Sequence, residues 1–367
     1  MKKYLFLMAA GAIALMACSS DDSNESKNNA PVPINLSSSL TMQNTRAVDD
    51  VKAQGTAIVK GETVYAWIDD RKTDNSALNQ ENYVTAWTLT ADGTIGLTPA
   101  ATKYYPTTGG NIDVYAIHGN FASAPTGNYP AVSATWTHTV LEDQATPTNL
   151  STTATPEYVP ANYAKSDLLY GSLQNETRKS ASPYHAITFK HKLSKIEVYL
   201  KQDDNATVSN ANLASAQVYI MNTLPDATFT FTAKEGALVQ DGSESNDDFQ
   251  IRYNAYGGSI TAGGTAYANG IKMLQHTDAT ASGTAYPLFA EAIIVPQTIA
   301  NTTDFLRIHL SDGGDLYAKL SATTTFVQGK KYTYTVTVGL TGITLTSSIT
   351  DWGEGATDNL NANMTTN

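Results

Sequence analysis

An all-β fold of the β-sandwich type is what the sequence predicts, and three observations carry that prediction. Short segments in which apolar and polar residues alternate recur along the chain, separated by Gly, Pro, Asn and Asp. Apolar runs of 3.6-residue period and Glu/Lys pairs at four-residue spacing, the commonest signs of helix, are nearly absent. The composition leans on Thr, Ala, Ser, Asn and Tyr, and β-branched and aromatic side chains fit a pleated, half-buried surface. With 367 residues the chain is too long for one ordinary core and long enough for two domains. Its net charge of −11 repels phosphate and argues against nucleic acid as a partner.

In chain order, the first element is a leader. Lys2 and Lys3 precede an apolar run from Tyr4 to Ala17, too short for a stop-transfer helix, so residues 1–18 read as a signal peptide. Leu15-Met16-Ala17-Cys18 looks like a bacterial lipobox, in which Cys18 is acylated and becomes the new N-terminus. The bland alternative is an ordinary leader with an incidental cysteine, but Cys18 is the sole Cys and falls at the end of the apolar run. A single Cys also excludes a disulfide framework and a thiolate metal cluster. Acyl chains would hold the protein to the membrane by burying methylenes. The stretch "SSDDSNESKNN" after Cys18 has no apolar side chain and reads as a tether.

Residues 31–50, "PVPINLSSSLTMQNTRAVDD", form the next element. Val32, Ile34, Leu36, Leu40 and Met42 alternate with polar residues, as in a strand with one apolar face. Arg46 then stands as the only basic residue between Lys27 and Lys52. Further strands are expected at 63–68, 83–90, 111–119, 133–141, 186–200, 216–222, 227–233, 291–299, 304–310, 316–324 and 331–349. The polar, Pro-containing stretch 174–184 is the expected domain break, dividing 47–180 from 185–367. In the strand 186–200, Ile187, Phe189, His191 and Leu193 share one parity while Ile196, Val198 and Leu200 have the other. A β-bulge near Ser194 is the expected cause.

No catalytic constellation is present: HExxH, the Walker loop, GxGxxG after a strand and the GxSxG elbow are all missing. Six scattered histidines offer no metal set, and His191, on an apolar face, reads as a core histidine. The acidic pairs Asp69-Asp70, Asp203-Asp204 and Asp247-Asp248, with Asp312 to Asp315, match no calcium loop and read as solvated turns. No cofactor and no metal are therefore expected, and no enzymatic activity.

Several stretches, taken in order, resemble one family. They are "KYYPTTGGNIDVYAIHG" (103–119), "SDLLYGS" (166–172), "ITFKHKLSKIEVYL" (187–200), "AIIVPQTI" (292–299), "FVQGKKYTYTVTV" (326–338) and "SSITDWGEG" (347–355). Together, behind a lipobox, they resemble the fimbrillin family, the FimA- and Mfa-like pilins and pilus accessory proteins of Bacteroides and Porphyromonas relatives. The resemblance implies two tandem β-sandwich domains of transthyretin-like, Greek-key type, export as a lipoprotein, and assembly into fimbriae on the cell surface. It also implies that an arginine-specific or trypsin-like protease removes an N-terminal strand, opening a groove that a neighbouring subunit's strand fills. Residues 19–46 would then be tether and propeptide, with Val32, Ile34, Leu36, Leu40 and Met42 on the removable strand and Arg46–Ala47 the scissile bond. Without the resemblance, Arg46 reads as a surface arginine in a linker.

A donor strand is needed as well. The segment 342–350 puts Ile343, Leu345 and Ile349 on one face with Ser347 between them, as Ser38 lies between Leu36 and Leu40. It reads equally as the last core strand of its own domain, and the polar C-terminal tail is a further candidate donor. The expected partners are other pilus subunits, the maturation protease, the outer membrane through the lipid before maturation, and a host or bacterial surface ligand of unknown identity. The alternative function is a monomeric surface-exposed glycan-binding lipoprotein, which an exposed set among Trp67, Trp87, Trp136 and Trp352 would favour.

Overall fold

A computed structural model of the chain describes residues 31–40, 58, 60–70, 87–93, 95–105, 110–125, 134–145, 148–149, 158–159, 161–179, 184–231, 259–281, 284–339 and 342–351. Cys18, Met42, Arg46, Ala47, Asp247, Asp248 and Trp352 lie outside these residues. The first half carries β1 (Leu36–Leu40), β2 (Thr63–Asp70), β3 (Trp87–Ala91), β4 (Leu97–Pro99), β5 (Ile112–His118), β6 (Ala134–Thr139), β7 (Thr148–Asn149), β8 (Tyr158–Val159), a short helix α1 (Ala161–Lys165) and β9 (Leu169–Glu176). Then follow β10 (His185–His191), β11 (Ser194–Gln202), α2 (Asn210–Ala214), β12 (Gln217–Ile220), β13 (Asp226–Phe231), β14 (Ser259–Gly263), β15 (Ile271–Lys272) and β16 (Leu274–Ala281). The chain closes with β17 (Thr284–Ile294), β18 (Thr298–Ile299), β19 (Asp304–His309), β20 (Asp315–Lys319), β21 (Thr324–Thr325), β22 (Lys330–Gly339) and β23 (Gly342–Asp351).

The protein is all-β in character, and its strands collect into a few sheets. A seven-stranded sheet runs β1-β10-β9-β5-β2-β3-β4, and a five-stranded sheet runs β16-β17-β11-β22-β23. A four-stranded sheet (β15-β12-β19-β20) and a three-stranded one (β14-β13-β6) accompany them. In β5 every residue is buried, as in a strand covered on both faces. Val114 and Ala116 pack with Ile34, Leu36, Ile187 and Phe189 in one apolar cluster. The opposite parity, Tyr115 and Ile117, joins a larger cluster with Val198, Phe229 and Phe305. Trp67 stacks on Trp136 at 5.1 Å between ring centroids, tying β2 to β6.

Three expectations change, the first being that 331–349 is not one strand but two, β22 and β23, paired antiparallel. The parity slip near Ser194 is not a bulge within one strand: the chain breaks at Lys192–Leu193, and β10 and β11 lie in different sheets. Each strand keeps its own alternation, Ile187 and Phe189 serving one cluster and Ile196, Val198 and Leu200 the other. Asp69 and Asp70 do not form a turn; they end β2 and pair with Asp113 and Ile112 of β5. Asp203 and Asp204 do lie after β11, where the Asp203 carboxylate accepts the Thr207 N–H at 2.9 Å.

Candidate functional site

The residues expected to form a removable strand form β1, with Ile34 just before it. Inward alternation buries Ile34 (1% exposed), Leu36 (3%), Ser38 (1%) and Leu40 (6%) against the smaller cluster, and Val32 packs on its margin. Burying Ile34, Leu36 and Leu40 stabilises the fold by roughly 5–9 kcal/mol in all, at about 1.5–3 kcal/mol each. That is comparable with the net stability of a whole domain.

Both edges of this segment are hydrogen-bonded. On one side β1 runs parallel to β10, with Leu36 opposite His185 and Leu40 opposite Phe189. The Ser37 hydroxyl donates to the His185 carbonyl at 3.2 Å. On the other side lies the segment 95–105: Ser38 N–H donates to the Ile95 carbonyl (2.8 Å), Ile34 N–H to that of Lys103 (2.8 Å), and Tyr105 N–H to that of Val32 (3.0 Å). The segment 32–40 is thus wedged between two walls, and without it both would present unpaired backbone groups above an apolar floor. The β10 wall is itself tightly seated: a Cβ on Gly171 of β9 would lie 2.5 Å from Ile187 Cγ2 and 2.8 Å from the Thr188 carbonyl oxygen.

Of the polar groups inside this seat, the alternation marks Ser38, between Leu36 and Leu40, but not the pair beneath the strand. The Ser38 hydroxyl is buried and has no hydrogen-bond partner. Beneath the start of the segment, Tyr105 Oη lies 2.6 Å from His185 Nε2, and His185 Nδ1 lies 2.7 Å from Glu176 Oε2. Burial pushes the imidazole pKa below its ordinary value, against the pull of Glu176. A neutral ring fits both bonds: Nδ1–H donates to Glu176, and Nε2 accepts the Tyr105 O–H. Only the inward parity of His185 hinted at this.

The candidate donor residues occupy a different edge. β23 pairs antiparallel with β22 over its whole length, Ile343 opposite Val338 and Leu345 opposite Val336. It is the terminal strand of its sheet, with Ile343, Leu345 and Ile349 half-buried on the larger core and Thr344, Thr346 and Ser348 exposed. Among the described residues, β23 lies in a different sheet from β1 and packs on the other apolar cluster.

Elsewhere the polar clusters are structural in form. Lys195 Nζ lies 2.6 Å from Glu291 and 3.1 Å from Glu197, while Lys331 meets Glu197 at 3.4 Å and His276 meets Glu291 at 3.0 Å. Burial alone would lower the Lys195 pKa, but Glu291, with Tyr163 and Glu197, outweighs it and raises it well above the ordinary value. Lys195 is therefore a held cation and no nucleophile. His191 Nδ1 lies 2.7 Å from Asp167 Oδ2 in the interior. Among the described residues no group of three or more His, Cys, Asp or Glu is disposed to hold a metal ion. Trp67 and Trp87 are buried and Trp136 is partly so, leaving no tryptophan platform among the described residues.

Known proteins complete the picture. A family model described as fimbrillin-like matches residues 45–352. A curated relative named "Putative fimbrium subunit Fim1C", from Bacteroides uniformis, is 25% identical over 363 residues, 97% of each chain. A solved "putative cell adhesion protein" of the same species is similar at 18% identity, covering 89% of this chain and 99% of that one with a TM-score of 0.49. Another of that description, from Bacteroides ovatus, has 15% identity over 88% of this chain and 98% of its own, also with a TM-score of 0.49. With the family match running through nearly all of the strands, this chain belongs to the fimbrillin-like family.

Proposed function

We propose that this chain is a structural subunit of a cell-surface pilus serving adhesion, which polymerises by exchanging the strand that fills the β1 seat. It would be exported as a lipoprotein through Cys18 and held at the outer membrane until cleavage after Arg46 frees the N-terminal segment. One observation carries the reading: a segment bonded on both edges and buried to the core ends at Leu40, only six residues before Arg46. An N-terminal strand so placed can be removed without cutting the rest of the core. The names of the relatives, fimbrium subunit and cell adhesion protein, support the same reading.

The donor is the 343–349 segment of a neighbouring subunit, or else the polar C-terminal tail. Its sequence, ITLTSSI, parallels INLSSSL at 34–40 position by position: isoleucine, leucine and two serines coincide, and leucine becomes isoleucine. Inward residues Ile34, Leu36, Ser38 and Leu40 would be replaced by Ile343, Leu345, Ser347 and Ile349. At home β23 has one hydrogen-bonded edge; in the seat it would have two, which favours transfer. The partners are then other subunits and an arginine-specific or trypsin-like protease, while the adhesive ligand is a separate matter. The buried tryptophans disfavour a glycan-binding monomer.

The intact mass and N-terminal sequence of surface-extracted protein test this directly. A chain beginning at Ala47, and its disappearance in Arg46→Ala together with the fibres, is the expected outcome. Normal fibres from the Arg46→Ala chain would overturn it.

A further inference from the structure

The seat must stay open between loss of one strand and arrival of the next. Its walls, β10 and the segment 95–105, are joined through β1 by backbone bonds that vanish when β1 leaves. Two strands with a third between them stand about 10 Å apart, twice the usual strand spacing. If nothing held them, the walls would close on each other, because pairing their free backbone edges and burying the exposed floor both release free energy.

One side-chain contact described across these walls does not involve β1. Tyr105 belongs to the far wall, where its N–H meets Val32, and His185 opens β10, opposite Leu36. Their side chains meet at 2.6 Å, and both are interior, His185 at 1% exposure and Tyr105 at 5%. Tyr105 shares the apolar cluster with Ile34 and Leu36, so the contact lies on the core side of the strand. It is anchored at both ends. Glu176 of β9 holds the other imidazole nitrogen, and Lys179 N–H donates to the Tyr105 hydroxyl at 3.3 Å.

We infer that Tyr105 and His185 form a brace beneath β1 that keeps the two walls at strand-accepting distance while the seat is empty, making them positioning residues for strand exchange. This rests on the strand-exchange reading above. The brace is one of reach: a phenol and an imidazole end to end bridge a gap that a closed pair of strands would not leave. It also sets a polarity of hydrogen bonding. Tyr105 O–H donates to Nε2, which is an acceptor only in the neutral ring. Protonation of His185 turns Nε2 into a donor; the Tyr105 oxygen can accept it beside the Lys179 N–H, but its own O–H then loses its acceptor. The charged and titratable groups around the pair are Glu176 from β9, at 2.7 Å from the imidazole, Lys179, 3.7 Å from Glu176, and Arg178, 5.9 Å from the Tyr105 ring centre. From β1 the Ser37 hydroxyl donates to the His185 main-chain carbonyl, not to the ring. Burial raises the Tyr105 pKa, so the phenol keeps its proton throughout the physiological range.

The test uses the full chain with a specific protease site inserted after Arg46 and an affinity tag on the N-terminal side. After cleavage and removal of the tagged piece, uptake of a fluorescent synthetic peptide spanning residues 31–42 is followed by anisotropy from pH 7.5 to 5. Wild type should capture the peptide, more slowly as pH falls. Tyr105→Phe keeps the ring but loses both hydroxyl bonds; it should be at least about fivefold slower at pH 7.5, the effect of one net hydrogen bond, and flat with pH. His185→Gln, whose carbonyl can accept the Tyr105 O–H in place of Nε2, should retain fast uptake at pH 5. Uptake by Tyr105→Phe equal to wild type at every pH overturns the brace and leaves strand exchange standing. No uptake by cleaved wild type at any pH overturns both. If Tyr105→Phe does not fold, His185→Gln decides, since an undiminished acid decline in that variant overturns the brace.

Discussion

Ser38 occupies a position where its neighbours on the same face are Ile34, Leu36 and Leu40, and its hydroxyl is buried with no partner. Leaving a hydroxyl unsatisfied costs about 1–3 kcal/mol. The adjacent hydroxyls are better placed, Ser37 bonding the His185 carbonyl and Ser39 lying 3.3 Å from the Thr188 hydroxyl. If β1 leaves as proposed, one weak position lowers the barrier to release without spoiling the alternation. Ser38→Ala removes the unsatisfied oxygen and keeps the small volume. It should raise the unfolding free energy by about 1 kcal/mol and slow loss of the N-terminal segment from the cleaved chain about fivefold. Denaturant titration of the intact chain and the off-rate of the cleaved segment measure the two. Equal or lower stability would mean that the hydroxyl is satisfied, by water for example.

At the level of elements, the strand-exchange proposal turns on β1 and β23. The double variant Ile343→Asp with Leu345→Asp puts two charges where half-buried side chains meet the core. Because β23 is an edge strand with its outer residues exposed, the monomer should remain folded by circular dichroism with its transition lowered. Fibre formation by cleaved subunits should be abolished. An unfolded monomer would instead make β23 indispensable to its own sheet, and the tail would become the better donor.

The strand character of 34–40 and 342–350 was legible because period-2 alternation is a local signal. Its partners were not. Nothing near Leu36 tells that His185 lies beside it, since pairing across so long a loop is decided by which edge remains open. The break at Lys192–Leu193 was read as a bulge for a related reason: a change of parity looks the same whether one strand kinks or two strands separate. Lys195 and Glu197 alternate with Ile196 and Val198 as a solvated face would. Their carboxylate and ammonium partners come from β17 and β22, so the face is in fact interior.

On the scale of the whole molecule, the sheets are tied together by buried polar side chains, and these make its stability depend on pH. His138 of β6 is fully interior. Its Nδ1 accepts the Asn120 N–H at 2.9 Å, and its Nε2–H donates to the Ser166 carbonyl at 3.0 Å. It thereby links the end of β5 to the turn after α1, while β6 itself pairs with β13 of the second half. Both nitrogens are committed in the neutral form, and a second ring proton would face the Asn120 N–H. Burial, only partly opposed by the Ser166 carbonyl and Asp167, lowers the pKa from 6.5 to about 4. A histidine in the unfolded chain takes up its proton near pH 6.5, and the folded one does so only near 4. The unfolded state therefore binds more protons throughout that window, and stability must fall as pH drops through it, by up to about 3 kcal/mol from this residue. His185, whose pKa is also lowered by burial, acts in the same direction. Carboxylates titrate near the lower end of the same window, so the contribution has to be read as a difference. His138→Asn retains an acceptor at the Nδ1 position and cannot titrate; it should be less stable than wild type at pH 7.5. Guanidinium unfolding of both chains between pH 7.5 and 4 should show their difference shrinking steadily below pH 6.5. A difference that stays constant to pH 4 would mean that His138 charges as readily in the folded chain as in the unfolded one.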